Sequence, residues 1–228
     1  MVRIENFKDI PVCEKEILRY AGCKSLEEEL LQLLHLCLEE VLPKLTYKVC
    51  HIELPLYIEE DLCDFGCIQV QSKHLAKNLS DCESVILFAA TIGVEIDRLI
   101  AKYGRISPTK ALLMQAIGAE RIEGLCDAFE NQMREISALE GKEFCPRFSP
   151  GYGDLPLEMQ KDIFRVLGCS KHIGLSLNES LLMSPSKSVT AFIGVKKTSD
   201  ADHESGFVKN QIKKCARCAK TDCTFREI

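Results

Sequence analysis

Nine consecutive residues hold an arginine, a tyrosine, two glycines and two prolines: Pro146-Arg147-Phe148-Ser149-Pro150-Gly151-Tyr152-Gly153-Asp154. The prolines exclude regular helix and push Cys145 and Ser149 toward extended backbone. Gly151 and Gly153 tolerate positive φ and let a second molecule approach the main chain. The stretch therefore reads as a stiff, extended loop with a guanidinium at one end, a phenol at the other and exposed peptide groups between. A ligand carrying a carboxylate and a flat ring would suit it. The same residues would also serve as a plain Pro/Gly connection between two helices.

A second grouping lies at the C-terminal end. Cys215-Ala216-Arg217-Cys218 is followed by Cys223, among Lys213, Lys214, Arg217, Lys220 and Arg226. A basic setting lowers thiol pKa and favours the thiolate, the form that binds metal. Cys215, Cys218 and Cys223 would give three ligands to zinc or to an iron–sulfur cluster, with a fourth position open. The competing readings are reduced, idle thiols on a frayed tail and redox disulfide chemistry. Cys63, Cys67, His51 and His74 match no zinc spacing, and His35, between leucines, reads as packing. No Ser/His/Asp arrangement, Walker loop or dinucleotide glycine turn is present, so no catalytic residue is assigned.

The chain has 228 residues, 46 % hydrophobic and 28 % charged, with a net charge of −5. That composition fits one large or two small globular domains and gives no global electrostatic case for nucleic acid. No apolar run approaches the ~20 residues of a membrane span. The N-terminus has no apolar signal core, so the expected location is cytoplasmic. Most of the thirteen cysteines sit singly in apolar surroundings, as Cys37 does, and read as small core residues in a reducing compartment.

Hydrophobic spacing supplies the elements. Short helix is expected over Cys13 to Arg19, ending at Gly22. A longer helix capped by Ser25 and Glu28 runs to Pro43. Alternation predicts strands between Thr46 and Gln71, then a short helix from His74 to Leu79. Ser84 to Ile92 is continuously apolar and predicts a strand covered on both faces. A helix follows Gly93. Ser107-Pro108 opens a long helix to about Leu139, in which Gly118 and Gly124 signal close packing. Glu120 and Glu123 lie on it, and either would serve as a solvent-facing charge, paired for instance with Arg121 or Asp127. Leu157 to Leu167 predicts a helix, and Leu175 to Leu177 and Ser188 to Val195 predict strands. The mixture without regular alternation points to a single α+β domain with a largely antiparallel, twisted sheet flanked by helices. Its expected parts are an N-terminal helix and strand region (1–84), a core carrying the loop (85–195), and a polar loop with the Cys-rich tail (196–228).

Arg-x-x-Pro-Gly-Tyr, with Ser184-Pro185-Ser186-Lys187-Ser188-Val189 further on, resembles the activation domain of cobalamin-dependent methionine synthase. The resemblance covers roughly residues 85–195, including the Glu179-Ser180 pair. It implies the same α+β fold and a site for S-adenosylmethionine. Arg147 would take the methionyl carboxylate, and backbone at Ser149 and Gly151 would hydrogen-bond the ligand. Tyr152 would stack on adenine or cover the ribose, and Glu123 would balance the sulfonium or the α-ammonium. The implied task is repair: an electron and a methyl group from S-adenosylmethionine restore methylcobalamin from cob(II)alamin. The family's loop continues Gly-Tyr-Pro-Ala-Cys-Pro, whereas here Gly153-Asp154-Leu155-Pro156 follows Tyr152. No cobalamin-binding Asp-x-His-x-x-Gly motif occurs. The chain is thus expected to be a free-standing activation subunit, inactive in methyl transfer alone. Its expected partners are a cobalamin-binding methionine synthase polypeptide lacking its own activation domain and an electron donor such as flavodoxin or ferredoxin. The alternative is a metal- or iron–sulfur-binding adaptor of a corrinoid methyltransferase that has lost the S-adenosylmethionine site.

Overall fold

In the computed structural model, residues 1–23, 27–138 and 141–197 are described. The chain runs β1 (Arg3–Phe7), α1 (Glu14–Tyr20), α2 (Glu28–Val41), a 3-10 turn, then β2 (Tyr47–Pro55), β3 (Tyr57–Glu59), β4 (Leu62–Asp64) and β5 (Gln69–Gln71). It continues with α3 (Lys73–Leu79), β6 (Ser84–Thr91), α4 (Glu95–Ile106), α5 (Pro108–Ala138) and β7 (Lys142–Phe144). The last elements are α6 (Met159–Leu167), α7 (Cys169–Ile173), β8 (Ser176–Leu177), β9 (Met183–Ser184) and β10 (Ser188–Lys197).

The main sheet has the order β1-β2-β6-β10-β7, and every neighbouring pair is antiparallel. β6 is central and buried on both faces, as its unbroken apolar run requires. Its side chains alternate between two cores. Ile86, Phe88 and Ala90 join the core that includes α1, α2, α4 and α5. Val85, Leu87 and Ala89 join the core that includes α3, α6, α7 and the small β3–β5 sheet. β10 divides in the same way, with Ala191 and Ile193 on the first face and Phe192 on the second. This is the expected α+β architecture with an antiparallel sheet.

The glycines in α5 mark close packing, as expected. A Cβ at Gly118 would lie 2.9 Å from the Lys187 side chain, and one at Gly124 3.4 Å from Ile10. Gly168 closes α6 in the left-handed conformation. His35 departs from expectation. It is exposed, and its Nε2 meets the Glu14 carboxylate at 3.2 Å instead of packing between leucines. α2 buries Leu34, Cys37, Leu38 and Val41 on one face, and His35 falls outside that stripe. β10 extends through Lys197, so the polar tail begins later than residue 196. The Ser25 cap and Cys215, Cys218 and Cys223 lie outside the described residues.

Candidate functional site

The site forms where the segment after β7 passes over α5. Phe148 and Phe192 exchange backbone hydrogen bonds of 2.9 and 2.8 Å, and Cys145 N–H donates to Gly194 O at 2.9 Å. The Arg147 segment is therefore an edge extension of the sheet, fixed on β10. Its side chain reaches α5, where Nε meets Glu130 at 2.9 Å and Nη2 meets Glu123 at 3.0 Å and Asp127 at 2.9 Å. Glu123, Asp127 and Glu130 are spaced by four and three residues, which places them on one helix face. The sequence reading brought Arg147 and Glu123 to one site, and the structure joins them directly. It did not find Asp127 as an Arg147 partner, or Glu130 at all. Their i, i+4, i+7 spacing was the available signal.

Arg147 is only 13 % exposed, while Glu123 and Asp127 are 41 % and 53 % exposed. Burial alone would lower its pKa. The Cys126 thiol and the three carboxylates act in the opposite direction, and the net shift is upward. Nη1 is buried with no hydrogen-bond partner. Three carboxylates meet the Arg147 guanidinium, and Arg134 also reaches Glu130 at 3.6 Å, so carboxylates outnumber these two arginines. Tyr20 of α1 lies near enough that Glu123 helps burial raise its phenol pKa.

Beyond Arg147 the chain turns tightly. Pro150 and Leu155 are buried and Gly151 to Asp154 are exposed. Gly151 N–H donates to Leu155 O at 2.9 Å, and Tyr152 N–H donates to Ser149 O at 3.2 Å. The turn is thus closed on itself, and Gly151 has φ +89°. Tyr152 projects outward, 70 % exposed. Asp154, where the sequence leaves the family's loop pattern, anchors the turn. Its carboxylate accepts from Ser72 Oγ, from Lys73 N–H at 2.9 Å and from His74 N–H at 3.2 Å. Those groups begin α3, where backbone N–H groups lack helical partners and favour an anion. The Ser72 hydroxyl and these N–H groups hold the Asp154 pKa below the usual carboxylate value. Gly153 rests against this anchor: at φ +57°, a Cβ there would lie 2.5 Å from His74 Nδ1.

The Pro-Ser-Lys-Ser segment closes the connection from β9 to β10. Ser186 donates from its backbone N–H (2.7 Å) and its hydroxyl to Asp97 at the start of α4. Lys187 is half-buried over Gly118, and burial lowers its pKa. Among the described residues no group of three or more His, Cys, Asp or Glu side chains could hold a metal ion.

Residues 69–218 match the family described as vitamin B12 dependent methionine synthase, activation domain. The chain belongs to that family. All five candidate residues, Glu123, Arg147, Ser149, Gly151 and Tyr152, fall inside the matched span. A solved structure described as the MetH reactivation domain bound to AdoHcy shares the fold with a TM-score of 0.63. The similarity covers 87 % of this chain and 79 % of that one, at 15 % sequence identity. A search of curated proteins finds no match. Among the described residues no helix is long and apolar enough to cross a membrane.

Proposed function

We propose that this activation-family chain binds S-adenosylmethionine at the Arg147–Tyr152 loop and assists reductive remethylation of cob(II)alamin carried outside these 228 residues. The observation that carries the reading is the Arg147 cluster itself: a nearly buried guanidinium with one unpartnered nitrogen, ringed by half-exposed carboxylates, inside the matched span. S-adenosylmethionine brings one carboxylate, one ammonium and one sulfonium. Its carboxylate would take the Nη2 contacts now made by Glu123 and Asp127. Those two carboxylates would turn to the ammonium and sulfonium, so the ligand exchanges ion pairs with the protein and leaves none unpaired. Tyr152 would cover the flat ring, and peptide groups at Ser149 and Gly151 would fix its edge. Gly151 N–H is already committed to Leu155 O, so Gly151 would contribute its carbonyl or its lack of a side chain.

The corrin, when present on its polypeptide, supplies the methyl-accepting metal. This chain's residues position the donor. No general acid or base is needed for that task, in keeping with the absence of an assigned catalytic residue. The partner is a cobalamin-binding methionine synthase polypeptide, and the electron comes from a separate donor. The ten described cysteines are free thiols, which suits a reducing, cytoplasmic setting.

Titration calorimetry of the full chain with S-adenosylmethionine tests the reading. Saturable heat is expected with the native protein. Methyl transfer is expected only when a cobalamin-loaded partner and a reductant are both added. No binding by the folded native chain, or methylation of homocysteine by this chain alone, would refute it.

A further inference from the structure

Cys82 and Cys145 are 63 positions apart in the sequence, yet their sulfurs lie 3.2 Å apart. Cys82 follows α3, and its N–H donates to Leu79 O at 2.9 Å. Cys145 follows β7 and stands two residues before Arg147. Between them runs β10 at Gly194. A Cβ on Gly194 would lie 2.4 Å from Cys82 Sγ and 3.3 Å from the Cys145 Cβ. A glycine in a strand interior weakens the strand and often marks a close approach; here the space it leaves is filled by Cys82 Sγ, a Leu79 methyl and the Cys145 Cβ. Both cysteines are partly exposed, unlike Cys37, Cys50, Cys63, Cys126 and Cys169, which are buried.

We propose that Cys82 and Cys145 form a thiol–disulfide modification site that ties the entry of the Arg147 loop to the end of α3. The two thiols are unequal. Either sulfur can donate in this contact; with the Cys82 S–H as donor, the Cys145 pKa is lowered to about 7, opposed by burial and Asp81 and favoured by Lys196 and Arg134. Cys82 is shifted upward by the same bond and by burial. Cys145 is accordingly the attacking thiolate. With a peroxide as oxidant, Cys145 Sγ attacks one peroxide oxygen, the O–O bond breaks, and water leaves to give a sulfenic acid at Cys145. Cys82 Sγ then attacks that sulfur, the S–S bond forms, and the sulfenic oxygen leaves as water with the Cys82 proton. Two thiols are oxidised by two electrons and the peroxide is reduced to two waters.

The loop would then be held at both ends of α3. Asp154 already pins it to the helix start, and the disulfide would pin Cys145 beyond the helix end. The site depends on the thiols alone and stands whether or not S-adenosylmethionine binds.

Peptide mapping by mass spectrometry tests it on the full chain, reduced and then exposed to hydrogen peroxide. A peptide pair joining Cys82 to Cys145 is expected and should be released by dithiothreitol. In Cys82→Ser, Cys145 should stop at the sulfenic acid and be captured by dimedone. Oxidised native protein should melt higher than reduced protein by roughly 10 °C, a gain absent from Cys82→Ser. Recovery of Cys82 and Cys145 only in unlinked peptides after peroxide would overturn the proposal, and that mapping needs no variant to fold.

Discussion

Arg121, on α5, and Arg147, on the segment that crosses it, both pair with α5 carboxylates, yet their surroundings differ in kind. Arg121 is fully buried. Its Nε and Nη2 bond the two Glu120 oxygens at 2.6 Å, Nη1 donates to Ile10 O at 2.8 Å, and Nη2 also donates to Pro11 O. Glu120 accepts in turn from Cys13 N–H at 2.9 Å. Charge is balanced one to one and every guanidinium nitrogen has a partner. The network holds the segment before α1 onto the helix and has nothing left to offer a ligand. Around Arg147 three carboxylates face two arginines, since Arg134 also reaches Glu130 at 3.6 Å; Glu123 and Asp127 are half-exposed, and Arg147 Nη1 is unpartnered. A buried donor without a partner costs about 1–3 kcal/mol, which a structural clamp gains nothing by retaining. The same helix thus carries a closed network near its middle and an open one a turn or two later.

The largest test of that contrast is Arg121→Ala. It would strand Glu120 in the core with its counter-ion gone, and breaking a buried pair from one side costs about 3–5 kcal/mol. Thermal denaturation should show the melting temperature falling by roughly 10 °C or more. A change below about 2 °C would mean that Arg121 is not the closed clamp described.

Arg147→Ala should divide its effects differently. Affinity for S-adenosylmethionine should fall roughly ten- to a hundredfold, the value of a charge-assisted hydrogen bond of about 1.5–3 kcal/mol. Stability should fall less than in Arg121→Ala, because Glu123 and Asp127 can turn to water once the cation is gone. Its burial and its contacts with α5 mean that Arg147 also holds the loop down, so some loss of stability is expected. Unchanged affinity in a folded Arg147→Ala protein would remove Arg147 from the site.

The elements that the sequence displayed are those whose own side chains determine them. β6 is apolar at nearly every position, α5 repeats its apolar stripe over many turns, and Gly168 ends α6. β1 and β7 were not visible. Arg-Ile-Glu-Asn-Phe has little strand character and is ordered by pairing with β2, and Lys142–Phe144 is ordered by pairing with β10. The site divides the same way. Arg147, Gly151 and Tyr152 stand together in the chain and could be read there. Glu123 was assigned through resemblance, and Asp127 and Glu130 become neighbours only when the strand edge crosses α5. Asp154 as an anchor for α3 was hidden, because its partners lie some 80 residues upstream.

Gly153→Ala probes the anchored turn with a smaller effect. The residue would need positive φ and would meet the His74 ring, costing about 1–3 kcal/mol unless the turn shifts. A shifted turn would move Tyr152, so calorimetry should show weaker S-adenosylmethionine binding with the Arg147 cluster intact. Native affinity together with native stability would show that the turn is not held as described.

The smallest effect belongs to the Asp154 carboxylate, and it is read through pH. Its folded pKa is lowered, first by the Ser72 hydroxyl and then by the His74 and Lys73 N–H groups, with His74 adding a favourable charge. A carboxylate depressed on folding stabilises the protein above its unfolded pKa of about 3.9 and loses that contribution as pH falls through the lower folded value. Asp154→Asn should therefore melt slightly below native protein at pH 6, on the order of a degree or two for so exposed a group. The gap should hold down to about pH 5 and close below about pH 4, where the native carboxylate takes up a proton and becomes as neutral as the amide. Melting curves of both proteins across that range decide it. A gap that persists at low pH would assign the Asp154 contribution to shape and hydrogen bonding, leaving the Arg147 cluster as the one place near the loop where charge matters.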